Sequence, residues 1–159
     1  MGYATERRLE DIAPLLERLD RGETLSGEEQ AELAAIRVLN ANYYKKQIPE
    51  SIGTLSALEH LYMQHSNISD LRPLSGMNSL KSLSLQLSLV SDLKPLSKLN
   101  KLESLGLQYL SISDLQPLAN LNHLTELHLS RSSVKDLESR RDLSRCLSAK
   151  VTNCSTKFA

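Results

Sequence analysis

The chain has 159 residues, of which 19 are basic and 19 acidic, so its formal net charge is zero. This length fits one domain, and the balanced charge does not favour nucleic acid or an anionic membrane as a partner. No stretch reaches the roughly 18 apolar residues that a membrane span requires, and the N-terminus lacks the apolar core of a signal peptide. We therefore expect a cytoplasmic protein that contacts neither nucleic acid nor membrane.

The charges are unevenly distributed between the two ends. Residues 1–35 contain nine acidic and four basic side chains, whereas residues 131–159 contain seven basic and three acidic ones. Two solvated ends are the simplest explanation, and head-to-tail association of copies is the alternative. We expect a monomer, and we keep a self-associating structural scaffold as a further hypothesis.

Two helices are predicted at the N-terminus. Residues 5–22 carry leucine and isoleucine at helical spacing, and Pro14 should either kink this helix or move its start. Ser26 begins a capping-box pattern, which predicts a second helix that runs to about Val38. We therefore expect residues 1–38 to form a helical N-terminal cap.

Apolar residues recur with a period of 22 residues over most of the chain. When Leu58 and its equivalents are counted as position 1 of each repeat, positions 4, 6 and 11 are also apolar. The four columns are Leu58, Leu80, Leu102 and Leu124; Leu61, Leu83, Leu105 and Leu127; Met63, Leu85, Leu107 and Leu129; and Ile68, Val90, Ile112 and Val134. We expect repeats over residues 39–154, regular over 55–137 and degenerate in the first and last turns, with 155–159 as a tail.

A second motif, Asp-Leu, follows each predicted strand and continues as x-Pro-Leu in three repeats. Its aspartates are Asp70, Asp92, Asp114 and Asp136. A carboxylate at this point can accept hydrogen bonds from backbone amides, and proline has a φ that suits a tight turn. We expect these aspartates to begin turns. Calcium binding is not expected, because one ligand per repeat does not converge on one ion.

The pattern Leu-x-x-Leu-x-Leu-x-x-Ser-x-Ile-Ser-Asp-Leu-x-Pro-Leu closely resembles bacterial leucine-rich repeats of the internalin-like, 22-residue type. The segment that begins at Ile48 is more similar to the plant-type variant. The resemblance implies an α/β fold, a short right-handed solenoid with parallel strands on its concave face and 3₁₀ turns on its convex side. It also implies protein binding, usually through the concave face.

One position departs from the family pattern. The ninth position, which is commonly Asn in the family, is Ser66, Ser88, Leu110 and Ser132 here, with Cys154 next in line. A serine can make one hydrogen bond to backbone at this point, whereas leucine can make none. We expect a local rearrangement around Leu110.

No pattern typical of an enzyme or a cofactor site is present in the sequence. The four histidines form no metal-binding motif, and no Gly-rich phosphate loop or nucleophile elbow occurs. Adding one period places Cys146 and Cys154 in core-type columns and Ala149 beside Leu127 in a weak last strand. Structural thiols are therefore favoured. We expect a non-catalytic protein without cofactor or metal.

The outward positions of the strands are candidates for binding. Alternation along a strand points positions 3, 5 and 7 to the concave side, and position 8 lies at the strand edge. Because Tyr and Arg often dominate binding energy, Tyr62, Tyr109 and Arg131 are the expected anchors. The other candidates are Gln64, His65, Gln86, Leu87, Gln108 and His128. Packing at the edge of the strand layer is the alternative for each single residue, and the glutamines can also form an amide ladder.

A protein-protein interaction module that binds a protein partner through its concave face is the leading hypothesis. The alternatives are an adaptor or effector that regulates a partner enzyme, and the self-associating scaffold.

Overall fold

The computed structural model describes residues 5–112 and 114–133 and the backbone of the strand at 153–155. Within them, one parallel sheet contains seven strands that follow one another in chain order. The strands are β1 (Thr5–Arg8), β2 (Ile36–Asn40), β3 (His60–Tyr62), β4 (Ser82–Ser84), β5 (Ser104–Gly106), β6 (Glu126–His128) and β7 (Asn153–Ser155). This is the expected leucine-rich-repeat solenoid, with its strands on the concave face.

The 22-residue period sets the register of the sheet. Leu39, Leu61, Leu83, Leu105 and Leu127 are direct partners across β2 to β6. Because side chains alternate along a strand, the leucines at positions 4 and 6 of each repeat point inward together. They form one continuous apolar core, in which most of these leucines have no exposed surface. We number the turns 1 to 5 from Ile36, Leu58, Leu80, Leu102 and Leu124.

Short 3₁₀ helices return the chain along the convex side. They are η1 (Glu50–Thr54), η2 (Arg72–Leu74), η3 (Lys94–Lys98) and η4 (Gln116–Leu118). The predicted role of the aspartates is confirmed, because each accepts a hydrogen bond from the backbone amide two residues later. The distances are 2.9 Å for Asp70, 2.9 Å for Asp92 and 2.8 Å for Asp114.

The N-terminal segment differs from the expected pair of helices. Residues 5–8 form strand β1 instead of helix, and α1 begins only at Leu9 and runs through Pro14 to Asp20. Pairing of β1 with β2 is a long-range interaction that helical periodicity cannot reveal. The cap therefore adds a strand to the sheet before its helices.

The second helix, α2 (Gly27–Ala34), begins with the predicted capping box and ends before Val38. Val38 belongs to β2 and pairs with His60 of β3. Helix α1 lies next to η1 on the convex side, where the Asp20 carboxylate accepts hydrogen bonds from the amides of Glu50 and Ser51 at 3.1 Å and 2.7 Å. On the convex side, α1 thus lies before η1, at the place where a preceding turn would have its 3₁₀ segment.

The last strand is paired in a register that differs from the expected one. Cys154 of β7 lies opposite Leu127, the place predicted for Ala149. The connection is therefore longer than the 22-residue period, and the assignment of Cys154 to the ninth position is wrong. The predicted places of Val134, Asp136 and Cys146 lie outside the described residues.

The boundaries of the cap, the repeats and the tail as separate domains stay a prediction. No helix in the part of the chain that the structure describes has the length and apolar character needed to cross a membrane.

Candidate functional site

The floor of the concave face is built from small, largely uncharged side chains. Positions 3 and 5 are Ser82 and Ser84 in β4 and Ser104 and Gly106 in β5. A Cβ atom on Gly106 would lie 3.1 Å from Oε1 of Gln108 and 3.3 Å from Nε2 of Gln86. Glycine at this position therefore permits the neighbouring amides to fold over the floor.

The glutamines of position 7 cover this floor, but they do not form the simple amide ladder considered from the sequence. Gln64 donates from Nε2 to the hydroxyl of Ser84 at 3.0 Å, across to the next turn. The Oε1 atom of Gln108 is buried and has no hydrogen-bond partner. These side chains are half-buried and contribute mainly to the floor itself.

One border of the floor carries alternating charges at position 2. Arg37 and Lys81 both pair with Glu59, at 2.8 Å and 3.3 Å. The hydrogen bond from Lys81, supported by Arg37, lowers the pKa of Glu59 below its usual range. These charges neutralise one another along the sheet, so this border presents little net charge to a partner.

The opposite border is formed by position 8, where the backbone is left-handed in all five turns. Tyr43, His65, Leu87, Tyr109 and Arg131 have φ between 54° and 62°. Side chains other than Gly, Asn and Asp rarely adopt this region, at a cost of about 1–2 kcal/mol each. We call these five residues the edge ladder.

Hydrogen bonds between turns hold the edge ladder in this conformation. The amides of the first four ladder residues donate to the position-7 carbonyl of the next turn, as Tyr43 does to Gln64 at 2.8 Å and His65 to Gln86 at 2.9 Å. The edge ladder therefore belongs to the hydrogen-bonded border of the sheet, and the strand spacing sets the distance between its side chains.

Ring contacts extend the ladder along the solenoid. The rings of Tyr43 and His65 are stacked, with centroids 5.1 Å apart and planes inclined by 16°. At the other end, Cζ of Arg131 lies 5.5 Å from the centroid of the Tyr109 ring. Leu87, which is 42% exposed, separates the two pairs.

Apolar exposure is concentrated on this border. The large hydrophobic residues that are exposed among the described residues are Tyr43, Leu87, Leu89 and Tyr109. Three belong to the edge ladder, and Leu89 follows Leu87 at position 10 of the same turn. Clustering of this kind marks an interaction surface more strongly than scattered apolar residues do.

Solved structures of known proteins resemble this solenoid. Internalin C2 of Listeria monocytogenes str. 4b F2365 is 31% identical, with a TM-score of 0.65 over 76% of this chain and 52% of that protein. Internalin F of the same strain is 24% identical, with a TM-score of 0.56 over 80% and 43% of the two chains. A leucine-rich-repeat protein of Leptospira interrogans is 20% identical, with a TM-score of 0.66 over 82% and 34%. The chain is an internalin-like leucine-rich-repeat protein.

The internalin-like chain spans about half the length of internalin C2. No family model and no curated protein sequence matches it. Its fold is that of protein-interaction modules in general. The comparisons identify neither a partner nor a contact surface.

The predicted site residues of this internalin-like protein fall into two groups. His65, Leu87, Tyr109 and Arg131 are exposed and lie together in the edge ladder. The others are partly covered residues of the concave floor: Tyr62, Gln64, Gln86, Gln108 and His128. The structure therefore separates the candidates into a floor and a projecting border.

Sequence reasoning missed two exposed residues of this border. Tyr43 lies one period before His65, and this arithmetic would have identified it despite the degenerate first turn. Leu89 had no such signal, because position 10 holds Asn67, Ser111 and Ser133 in the neighbouring turns.

The ninth position also behaves differently from expectation. Ser66 and Ser132 bond to a carbonyl of their own turn, at 2.8 Å and 2.6 Å, but the hydroxyl of Ser88 is buried without a partner. The carbonyl of Leu110 accepts the amide of Ser133 at 2.9 Å, and the rearrangement expected in this turn stays a prediction, since Ser113 lies outside the described residues. Leucine at this position simply joins the core.

No cluster of three or more His, Cys, Asp or Glu side chains suited to a metal ion occurs within the described ranges.

Proposed function

We propose that this chain is a non-catalytic protein-binding module whose contact surface is the edge ladder together with Leu89. The observation that carries the proposal is the location of the exposed large hydrophobic residues. All four that the described part of the chain contains lie at position 8 or 10, in turns 1, 3 and 4.

The residue types of the ladder support this assignment. Tyr and Arg are enriched among the residues that dominate binding energy, and both occur here on a pre-ordered backbone. Preorganisation matters because a surface that is already ordered loses less conformational entropy when a partner binds. The small floor beside the ladder allows a partner to approach closely.

The concave floor is the second part of the proposed surface. Tyr62 and His128 are half-exposed at position 5, on either side of Ser84 and Gly106. A partner that contacts the ladder would reach these side chains across the glutamines. In this proposal the ladder supplies most of the binding energy and the floor supplies shape.

Self-association of copies by adding a strand next to β1, at the first edge of the sheet, is disfavoured. Strand β1 carries the charged side chains of Glu6, Arg7 and Arg8, and Arg7 pairs with Glu32 of α2 at 3.3 Å. Charges on an edge strand oppose pairing with another strand. We therefore place the interaction on the edge ladder and not on strand β1.

Quantitative affinity capture from cells that express the protein tests the proposal. The ladder variant combines Leu87→Asn and Leu89→Ser, the floor variant is Tyr62→Ser, and Lys98→Ser in η3 is the matched control on the convex side. We expect the wild type and the control to retain the same proteins, and the ladder variant to lose them while its circular dichroism is unchanged.

Retention of the same proteins by the ladder variant would show that the ladder is not the contact surface. Loss with Tyr62→Ser alone would move the surface to the concave floor.

A further inference from the structure

We propose that the edge ladder binds a partner segment that is apolar in its middle and acidic at both ends. This inference rests on the proposed function, because it uses the same surface, and it adds the chemistry of the partner.

Acidic side chains are absent from this border in turns 1 to 5. Positions 7 to 10 of the five turns comprise residues 42–45, 64–67, 86–89, 108–111 and 130–133, all of them described, and none is Asp or Glu. Elsewhere the chain contains 19 acidic residues. We call these positions the acid-free strip. Such a surface attracts acidic partners through its own cations, and it offers no carboxylate to a basic partner.

The lysine and arginine side chains of the strip lie at its two ends. Lys45 is in turn 1 and Arg131 is in turn 5, while Leu87 and Leu89 occupy turn 3, midway between them. The order along the strip is therefore a cation, an apolar centre and a second cation.

Both cations are available to a partner. Arg131 contacts the ring of Tyr109, and among the described residues neither Arg131 nor Lys45 has a carboxylate partner. Lys45 borders a cavity that also contains Glu10 and Glu17, but these carboxylates are paired with Arg8 and Lys46. A charge already neutralised elsewhere competes weakly for Lys45.

The spacing of the strip defines the size of the segment. Five turns are separated by four strand spacings, so the end turns are about 19 Å apart at about 4.8 Å per step. An extended peptide of about six residues covers this distance at about 3.3 Å per residue. Its central residues would lie on Leu87 and Leu89, and its acidic ends would reach Lys45 and Arg131.

A second copy of the chain does not fit the same surface. A two-fold axis through Leu87 would place Arg131 of one copy opposite Lys45 of the other, and the reverse contact would repeat the repulsion. Like charges that face each other across an interface oppose association. A different protein with acidic residues around an apolar centre avoids this conflict.

Selection from a random peptide library displayed on phage tests the inference. The wild type is expected to enrich peptides with an apolar centre and acidic ends. Selection with the double variant Lys45→Glu/Arg131→Glu is expected to keep the apolar centre but to replace the acidic ends by basic ones. Selection with Leu87→Asn/Leu89→Ser should lose the enrichment.

The strongest wild-type peptide then provides a direct measurement. Reversing both cations should weaken its binding about 2- to 30-fold, as two exposed ion pairs are lost, and the loss should shrink at high salt. Lys98→Glu reverses one charge on the distant convex side and should leave the affinity unchanged.

The outcomes separate the two proposals. Apolar peptides without acidic ends that still require Leu87 and Leu89 would overturn the partner chemistry and leave the proposed surface intact. Peptides that bind the Leu87→Asn/Leu89→Ser variant as well as the wild type, or the absence of any enriched peptide, would overturn the inference. The affinity capture described above then decides whether the proposed function also fails.

Discussion

The third and fourth turns place serine and leucine at the same two positions in opposite order. In turn 3, Ser88 at position 9 is buried and Leu89 at position 10 is 64% exposed. In turn 4, Leu110 at position 9 is 2% exposed, and Ser111 at position 10 is on the surface. The two turns share the same strand register and the same left-handed residue at position 8.

The difference shows that position 9 accepts either a buried serine or a buried leucine, and that position 10 accepts either residue exposed. Turn 4 fills position 9 with an aliphatic side chain, whereas turn 3 buries a hydroxyl that has no partner. An unsatisfied buried polar group lowers stability by about 1–3 kcal/mol. The arrangement in turn 3 is therefore the less stable of the two, and it supplies the apolar centre of the edge ladder.

Leu110→Ser gives turn 4 the buried serine of turn 3 and has the largest expected effect. Removing a buried leucine leaves a cavity, and we expect the free energy of unfolding to fall by about 3 kcal/mol. Urea denaturation measures the change. Ser111→Ala, at the adjacent exposed position, should change the stability by less than about 0.5 kcal/mol. A loss of similar size from both variants would mean that position 9 has no special role in packing.

The reverse exchange, Ser88→Leu with Leu89→Ser, gives turn 3 the order found in turn 4. We expect the free energy of unfolding to rise by about 1–2 kcal/mol, because an apolar side chain replaces an unpaired hydroxyl in the core. Ser88→Ala isolates the contribution of the hydroxyl. Destabilisation by the exchange would indicate that the core of turn 3 lacks the volume for leucine.

Leu87→Asn and Tyr109→Asn compare the left-handed positions of the two turns. Asparagine tolerates positive φ better than leucine does, so Leu87→Asn should raise the free energy of unfolding by about 0.5–1 kcal/mol. Tyr109→Asn also removes the contact with Arg131, which is worth about 0.5–1 kcal/mol, and its net effect should be near zero. Thermal denaturation of the two variants side by side provides the measurement. Equal stabilisation by both would argue that the Arg131 contact contributes nothing.

Arg72→Gln gives turn 2 the glutamine that turn 4 has at Gln116, and it has the smallest expected effect. Side-chain and backbone hydrogen bonds from Arg72 lower the pKa of Asp70 below its usual range. Because this pKa is depressed in the folded state, the stabilisation is present above about pH 4 and is lost as the pH falls through the folded pKa.

In the Arg72→Gln variant the pKa of Asp70 should rise towards its ordinary value, as measured by NMR titration. The stabilities of variant and wild type should then converge in acid. A constant difference at all pH values would show that the guanidinium acts by packing and not by charge.

The central repeats could be predicted closely because their stabilising contacts have a strict sequence spacing. Leucines 22 residues apart are direct strand partners, and Asp92 accepts a hydrogen bond from a backbone amide, as its position predicts. Strand β1 could not be predicted, since residues 5–8 pair with a strand more than 25 residues away and carry no alternating apolar pattern. The predicted register of the last strand was wrong for a related reason, because the last connection is longer than the 22-residue period.

The candidate site was only partly predictable. His65, Leu87, Tyr109 and Arg131 were assigned to the strand edge from their repeat position alone. Their left-handed backbone carried no signal, because none of them is Gly or Asn, the residues that usually mark positive φ. Tyr43 belongs to the edge ladder because its amide bonds to the carbonyl of Gln64, although turn 1 has lost the Asp-Leu-x-Pro-Leu motif.

The amino-acid sequence by itself determined the solenoid, its inward leucines and its convex turns, because a fixed period forces equivalent residues into equivalent environments. Only the tertiary structure decided which residues outside that frame come together. Stacking of turns brings position 8 of five repeats into one ladder, leaves Leu89 exposed beside Leu87, and places Lys45 and Arg131 at opposite ends of an acid-free strip. Spacing along the chain specifies the core, whereas the surface depends on what each turn leaves uncovered.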